Sequence, residues 1–208
     1  MSKESMLAGW ELIFQAADAG AVLFSHDKFT QDFDKACGHI MVLIEDAFMC
    51  YERRSFGTSV FLSVTAIEET AKAEIGIYRR DNKNEKQNRK KDPLYNHLSK
   101  HKMAVLPTVF MGKRLLEALG EKRCKELYSE VINGSLRTLR EEALYFSNKD
   151  GSLITPNELI DREKSKEMLL LAIETIDDRL VGYSDKTYDI EKRLSQLFEH
   201  VLKQSLDD

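Results

Sequence analysis

The chain has 208 residues, 42% of them hydrophobic and 32% charged, a composition typical of a globular protein with one substantial core. A formal net charge of −4 excludes a surface that is basic throughout, so contact with nucleic acid would have to be local. Three scattered cysteines, no signal peptide and no bilayer-spanning apolar run exclude a disulfide scaffold and a membrane protein, so we expect a reduced, cytoplasmic chain without membrane contact.

Helical spacing of apolar residues begins near the N-terminus and continues through the first third of the chain. The first two predicted helices cover residues 4–17 and 28–54. A short turn at residues 55–58 leads to a third helix, the most apolar one, which extends to about Tyr78. Residues 79–92 are entirely polar and predict a flexible basic loop.

The second part of the chain repeats this helical pattern between turn signals. The clearest helix start is at residues 155–158, where Thr155 supplies an N-cap hydroxyl and Glu158 follows three residues later, and it predicts one long helix. We find no strand pair, and we predict one all-α domain over residues 1–208. The later predicted helices cover residues 93–107, 108–119, 121–132, 135–145, 156–182 and 188–202.

The third predicted helix is apolar nearly all round, yet it contains Glu68, Glu69 and Lys72. A helix of that kind is expected to be buried, and a buried carboxylate is costly unless it is paired. Lys72 lies four residues after Glu68 and three after Glu69, the spacing at which helical side chains meet, so we predict a buried polar network of these three. This network either fixes helix register alone or borders a groove where it orients a histidine or a partner subunit.

Two histidines and two lysines occur together in the fourth predicted helix, at His97, Lys100, His101 and Lys102. Histidine transfers protons near neutral pH and a cation stabilises a pentavalent phosphate, so these four are candidate catalytic residues for RNA cleavage without a metal. The alternative is a solvated basic helix end. A zinc site is not predicted, because Leu98 stands where the His-Glu-x-x-His motif needs glutamate, and we predict no cofactor.

Two further groups of basic residues are candidates for RNA contact. A cationic run just before the fourth helix is a candidate phosphate-binding surface, although it lacks interleaved aromatic residues for base stacking. Arg193 and His200 are nearly superposed on a helical wheel and form a second candidate pair, with chance spacing as the alternative. The members of the cationic run are Arg79, Arg80, Lys83, Lys86, Arg89, Lys90 and Lys91.

The order of these features resembles the AbiV family of bacterial abortive-infection proteins, within the HEPN superfamily of helical bundles, over about residues 40–178. The Glu-Glu motif of the family is usually followed by glycine and lysine, whereas Thr70 and Ala71 follow it here. The segments that carry the resemblance are Ile44-Glu45-Asp46-Ala47, Ala66-Ile67-Glu68-Glu69-Thr70-Ala71-Lys72-Ala73, His97-Leu98-Ser99-Lys100-His101-Lys102, Arg140-Glu141-Glu142-Ala143-Leu144-Tyr145-Phe146, Asp150-Gly151 and Pro156-Asn157-Glu158.

The resemblance implies a HEPN-like antiparallel bundle with additional helices and a role as a homodimeric antiphage effector that blocks gene expression or translation. RNA or the ribosome would be its target, and a phage protein its activator. Many HEPN proteins are metal-independent ribonucleases with an Arg-x4-6-His motif. Arg193 and His200 have that spacing, but they lie outside the region of resemblance, and Arg89 is too far from His97. The competing hypothesis is a noncatalytic helical module that captures a phage or ribosomal protein.

Overall fold

The computed structural model describes residues 3–18, 20, 22–79 and 92–203, with side chains from Leu7 onward. Helices dominate this part of the chain, which confirms the predicted all-α class, and a single two-stranded hairpin accompanies them here. The helices are α1 Lys3–Asp18, α2 Phe29–Glu52, α3 Phe56–Tyr78, α4 His97–Val105, α5 Lys113–Leu119, α6 Glu121–Asn133, α7 Ser135–Glu142, α8 Pro156–Leu159, α9 Arg162–Leu180 and α10 Lys186–Lys203.

Helix α3 lies at the centre, with α1, α2, α4, α7 and α9 packed around it. Its nearly continuous apolar surface accounts for this position, because every face that a helix buries must be apolar or paired. The tight turn between α2 and α3 is followed by Gly57, where an added Cβ would lie 2.7 Å from Pro156 Cβ and 2.9 Å from the Ala143 carbonyl oxygen. Glycine therefore permits the start of α3 to approach the segment that follows α7.

Buried apolar side chains from most of these helices form one continuous core. Helix α9 is buried over most of its circumference, and α10 covers it and α2 with the stripe of Leu194, Leu197, Phe198 and Val201. None of the helices in the described ranges is both long and apolar enough to cross a membrane. The single-domain boundary at residues 1–208 stays a prediction.

The hairpin corrects the expectation that no strands occur. Strand β1, Ser147–Lys149, pairs antiparallel with β2, Ser152–Ile154, through a turn in which Asp150 and Gly151 have φ values of 54° and 83°. Positive φ at both central turn residues is typical of the type I′ turn, which Asp-Gly favours. Each strand has only three residues and β1 is entirely polar, so the pair lacks the apolar alternation by which sequence patterns reveal strands.

The long helix predicted from Thr155 is also divided. Thr155 and Glu158 do form the predicted capping box, but the helix that it starts, α8, ends after one turn at Leu159. A second cap follows, in which the Asp161 carboxylate accepts a hydrogen bond from the Lys164 amide at 2.8 Å and begins α9. The sequence pattern thus predicts one helix where two N-caps, Thr155 and Asp161, lie within seven residues and begin two helices.

Candidate functional site

The candidate site is centred on Glu68, whose side chain in α3 is only 3% exposed. Lys100 Nζ donates to its Oε2 at 2.6 Å, while the Oε1 atom lies 3.0 Å from His101 Nε2 and 2.7 Å from His97 Nδ1. The three partners stand at positions i, i+3 and i+4 of α4, so they share one helix face. One carboxylate of α3 therefore binds three residues on one face of α4.

Hydrogen bonding keeps Glu68 ionised in this buried place. Burial alone would raise the pKa of its carboxyl group, but hydrogen bonds from His101, Lys100 and His97 outweigh that effect and hold the pKa well below its usual value. The pKa of His101 is lowered, because burial of the fully enclosed ring outweighs its contact with Glu68. His101 is thus a neutral donor, and its buried Nδ1 has no hydrogen-bond partner among the described residues.

His97 differs from the other two partners because its side chain is 42% exposed. An ionised carboxylate can only accept hydrogen bonds, so Glu68 selects the tautomer of His97 that carries its proton on Nδ1. The other ring nitrogen, Nε2, then has a free lone pair. An imidazole oriented in this way can accept a proton from a neighbouring group.

Arg140 of α7 completes the site, and sequence reasoning did not identify it as a site residue. Its Nε lies 3.8 Å from Glu68 Oε1, and its guanidinium stacks over the Phe61 ring at 4.9 Å from the centroid. The side chain is 27% exposed. No spacing rule could have found this contact, because it joins helices that are far apart in the sequence.

The predicted buried network of Glu68, Glu69 and Lys72 is wrong in two of its members. Lys72 Nζ binds Glu69 Oε1 at 2.5 Å rather than Glu68, and the two side chains are 41% and 25% exposed. Adjacent residues of a helix point about 100° apart, so only one of the two glutamates can face α4. The Glu69–Lys72 pair instead borders a groove of about 230 Å³ between α2 and α3, whose lining includes His39.

Two of the four candidate catalytic residues need correction, while the catalytic roles of His97 and Lys102 stay predictions. Lys100 and His101 are buried against Glu68, so neither presents its polar atoms at the surface. Lys102 is partly exposed but lies outside the hydrogen bonds around Glu68. The predicted basic helix end is therefore a docked face of α4, with His97 as its accessible acid–base group.

Arg79 does not belong to an RNA-binding surface, contrary to the sequence prediction. Its side chain is 1% exposed, its guanidinium binds both carboxylate oxygens of Asp92 at 2.9 and 2.7 Å, and its Nε donates to the Ala16 carbonyl at 2.6 Å. Both end residues of the predicted loop 79–92 are thus buried. The other predicted members of this surface, Arg80, Lys83, Lys86, Arg89, Lys90 and Lys91, lie outside the described residues.

The second candidate pair lies on a different face, formed by α2 and α10. Arg193 Nε donates to Glu45 Oε1 at 2.7 Å, with both side chains about half exposed. The ring of His200 meets the ring of Phe48 edge to face, with centroids 5.1 Å apart. Arg193 and His200 therefore both contact α2, and their role as a second candidate pair stays a prediction.

In the ranges that the structure covers, no group of three or more His, Cys, Asp or Glu side chains is arranged to hold a metal ion.

The family model described as HEPN_AbiV: AbiV matches residues 33–177. This span includes Glu68, His97 and Arg140 and ends before Arg193. No curated protein and no solved structure gave a match.

Proposed function

The chain belongs to the AbiV family of HEPN proteins, and from this membership we propose that it is an antiphage effector that blocks gene expression or translation in an infected bacterium. Its place of action would be the cytoplasm. The family match supports a HEPN-type abortive-infection role. The chemical activity is inferred from the site geometry.

We infer that the effector cleaves RNA without a metal and that His97 is its general base. The observation that carries this inference is the 2.7 Å contact between His97 Nδ1 and the buried, ionised Glu68. A fixed tautomer with a free Nε2 can accept the proton of a ribose 2′-hydroxyl. The 2′-oxygen then attacks the adjacent phosphorus and the bond to the 5′-oxygen breaks. Water protonates the leaving oxygen, and the hydroxide that forms takes the proton back from His97. The products are a 2′,3′-cyclic phosphate and a 5′-hydroxyl.

A homodimer is supported by exposed apolar residues on the α2 face. Val42 and Met49 are 55% and 59% exposed, and they share one stripe of α2 with Glu45. A second copy that covers this stripe would bring Arg193 and His200 of both copies toward one interface. This arrangement makes the α2–α10 face the second candidate location for RNA cleavage.

A noncatalytic function has its own supporting observation. Leu144, Tyr145, Phe146 and Leu153 are between 44% and 70% exposed around the hairpin. Neighbouring exposed apolar side chains of this kind often mark protein–protein contacts. The alternative function is therefore capture of a phage or ribosomal protein through this surface.

Incubation of the purified protein with total RNA and with ribosomes, with and without a chelator, separates the two functions. Cleavage that resists the chelator and leaves cyclic phosphate ends supports the ribonuclease. Stable association with ribosomes without RNA cleavage supports the binding module and contradicts the proposed chemistry.

A further inference from the structure

The charges around Glu68 do not balance. Glu68 contributes one negative charge, and the buried Lys100 neutralises it through a 2.6 Å contact. Arg140 adds a second permanent positive charge next to the same carboxylate. Even with both histidines neutral, the site therefore carries an excess of one positive charge.

Arg140 makes no hydrogen bond to the carboxylate that it faces. The 3.8 Å between its Nε and Glu68 Oε1 exceeds hydrogen-bond distance, and its Nε is buried without a hydrogen-bond partner in the described part of the chain. A buried donor in that state loses its hydration and gains nothing in return. Phe61 holds the guanidinium in place through the stacking contact.

Both acidic residues of α7 are already paired. Arg137 Nε donates to Glu141 Oε1 at 3.4 Å, and Lys149 Nζ lies 3.5 Å from Glu142 Oε1. Neither carboxylate lies three or four residues from Arg140, the spacing at which two side chains of one helix can form an ion pair. The neighbouring acids thus leave the guanidinium without a carboxylate of its own among the described residues.

The start of α4 adds to the positive potential. His97 is the first residue of this nine-residue helix, whose N-cap Asn96 accepts a hydrogen bond from the Ser99 amide. Helix N-termini attract anions through their aligned peptide dipoles. His97 and Arg140 are also the two members of the site whose side chains reach solvent, at 42% and 27% exposure.

We propose that the Arg140 guanidinium, which lies with His97 against Glu68 Oε1, is an oxyanion-binding site for a phosphate group that the RNA backbone supplies as a phosphodiester. The guanidinium presents parallel N–H donors that match two phosphate oxygens, and the bound anion removes the charge excess beside Glu68. The inference rests on the proposed function, since it names what holds the phosphate next to the 2′-hydroxyl that His97 deprotonates. Lys100 takes no part, because its ammonium is already bound to Glu68 Oε2.

The test measures thermal unfolding of the full chain during titration with inorganic phosphate, against chloride at equal ionic strength. Phosphate should raise the melting temperature of the wild type, because a ligand that binds only the folded state stabilises it. Arg140→Gln should bind phosphate at least about tenfold more weakly, the effect of one lost charge-assisted hydrogen bond. Arg137→Gln is the matched control on the same helix and should bind phosphate like the wild type.

A 2′-O-methyl oligoribonucleotide, which lacks the attacking hydroxyl, identifies the phosphodiester as the source of the anion. As with phosphate, Arg140→Gln should weaken binding of the oligoribonucleotide and Arg137→Gln should leave it unchanged. Binding of this kind without cleavage of ordinary RNA by the wild type keeps the phosphate site and overturns the proposed function. Phosphate binding without oligoribonucleotide binding overturns the assignment to RNA.

Equal phosphate affinity of Arg140→Gln and the wild type would overturn the proposal, as would a wild type that responds equally to phosphate and chloride. If Arg140→Gln does not fold, the histidine side-chain NMR signals of the unaltered protein decide. Phosphate should shift the signals of His97 and leave those of His200 in place. Unmoved His97 signals would refute the site.

Discussion

Lys100 of α4 and Glu68 of α3 form an ion pair at 2.6 Å whose two side chains are 6% and 3% exposed. Removing one member of such a buried pair leaves the other charge without compensation, which costs far more than the pair contributes. The position of α4, and with it that of His97, therefore depends on the carboxylate of Glu68.

We predict that Glu68→Gln lowers the free energy of unfolding by about 3–5 kcal/mol, because Lys100 stays buried without its counter-ion. Denaturant unfolding followed by circular dichroism measures this change. Glu69→Gln is the matched control, since the Glu69–Lys72 pair is partly exposed and should contribute about 0–1 kcal/mol. Equal losses in the two variants would contradict the central position of Glu68.

Lowering the pH should reduce the free energy of unfolding of the wild type in two stages. The pKa of His101 is lowered from 6.5 and that of Glu68 from 4.5, so in both cases the unfolded chain binds protons more readily than the folded protein. Their contributions are therefore present above pH 6.5 and pH 4.5 respectively and decline as the pH falls below those values. Unfolding free energies measured across this range should decline below pH 6.5 and further below pH 4.5.

Glu68→Gln should show a smaller second stage, because glutamine does not titrate, while other carboxyl groups with a lowered pKa, such as that of Glu130, remain. Its stability relative to the wild type should accordingly improve as the pH is lowered below 4.5. A constant difference between the two proteins over that range would show that another carboxyl group causes the acid sensitivity.

His97→Ala should lower the rate of RNA cleavage by about 10²–10⁴-fold, the contribution of a general base, while the protein stays folded. Gel analysis of RNA products and a thermal melt measure the two properties. His200→Ala serves as the comparison on the α2–α10 face. If His200→Ala abolishes cleavage and His97→Ala does not, the reaction belongs to Arg193 and His200.

Met49→Lys should weaken self-association, because it places a charge in the exposed apolar stripe of α2. Sedimentation analysis over a range of protein concentrations measures the shift toward monomer. Tyr188→Lys is the control, since Tyr188 is 54% exposed at the start of α10 and outside the stripe. A dimer that resists Met49→Lys but dissociates with Tyr188→Lys would move the interface to another face.

Two glycine replacements should have opposite effects. Gly57→Ala should destabilise the protein by about 1–3 kcal/mol, because the new Cβ meets Pro156 Cβ at 2.7 Å. Gly38→Ala in the middle of α2 should stabilise it by about 0.5–1 kcal/mol, because its Cβ meets only the Lys186 ammonium at 3.5 Å. Thermal melts of the two variants check both signs.

The sequence predicted the candidate site in part. The apolar flanks of Glu68 indicated that this carboxylate is buried, and the spacing of His97, Lys100 and His101 indicated that they share a helix face. The spacing rule then assigned Lys72 as the partner of Glu68, because it counts only neighbours on the same helix. Likewise, Arg79 was assigned to the basic run by its charge, although it forms a buried pair with Asp92.

The sequence by itself determined the helical class, the burial of α3 and the capping box at Thr155, because these depend on residues within a few turns of one another. Only the tertiary structure decided which charges meet. The contacts of Glu68 with Lys100, His97 and Arg140 join α3, α4 and α7, and their distances depend on how separate helices dock. A Coulomb interaction depends on distance through space and on burial, and local spacing encodes neither across helices.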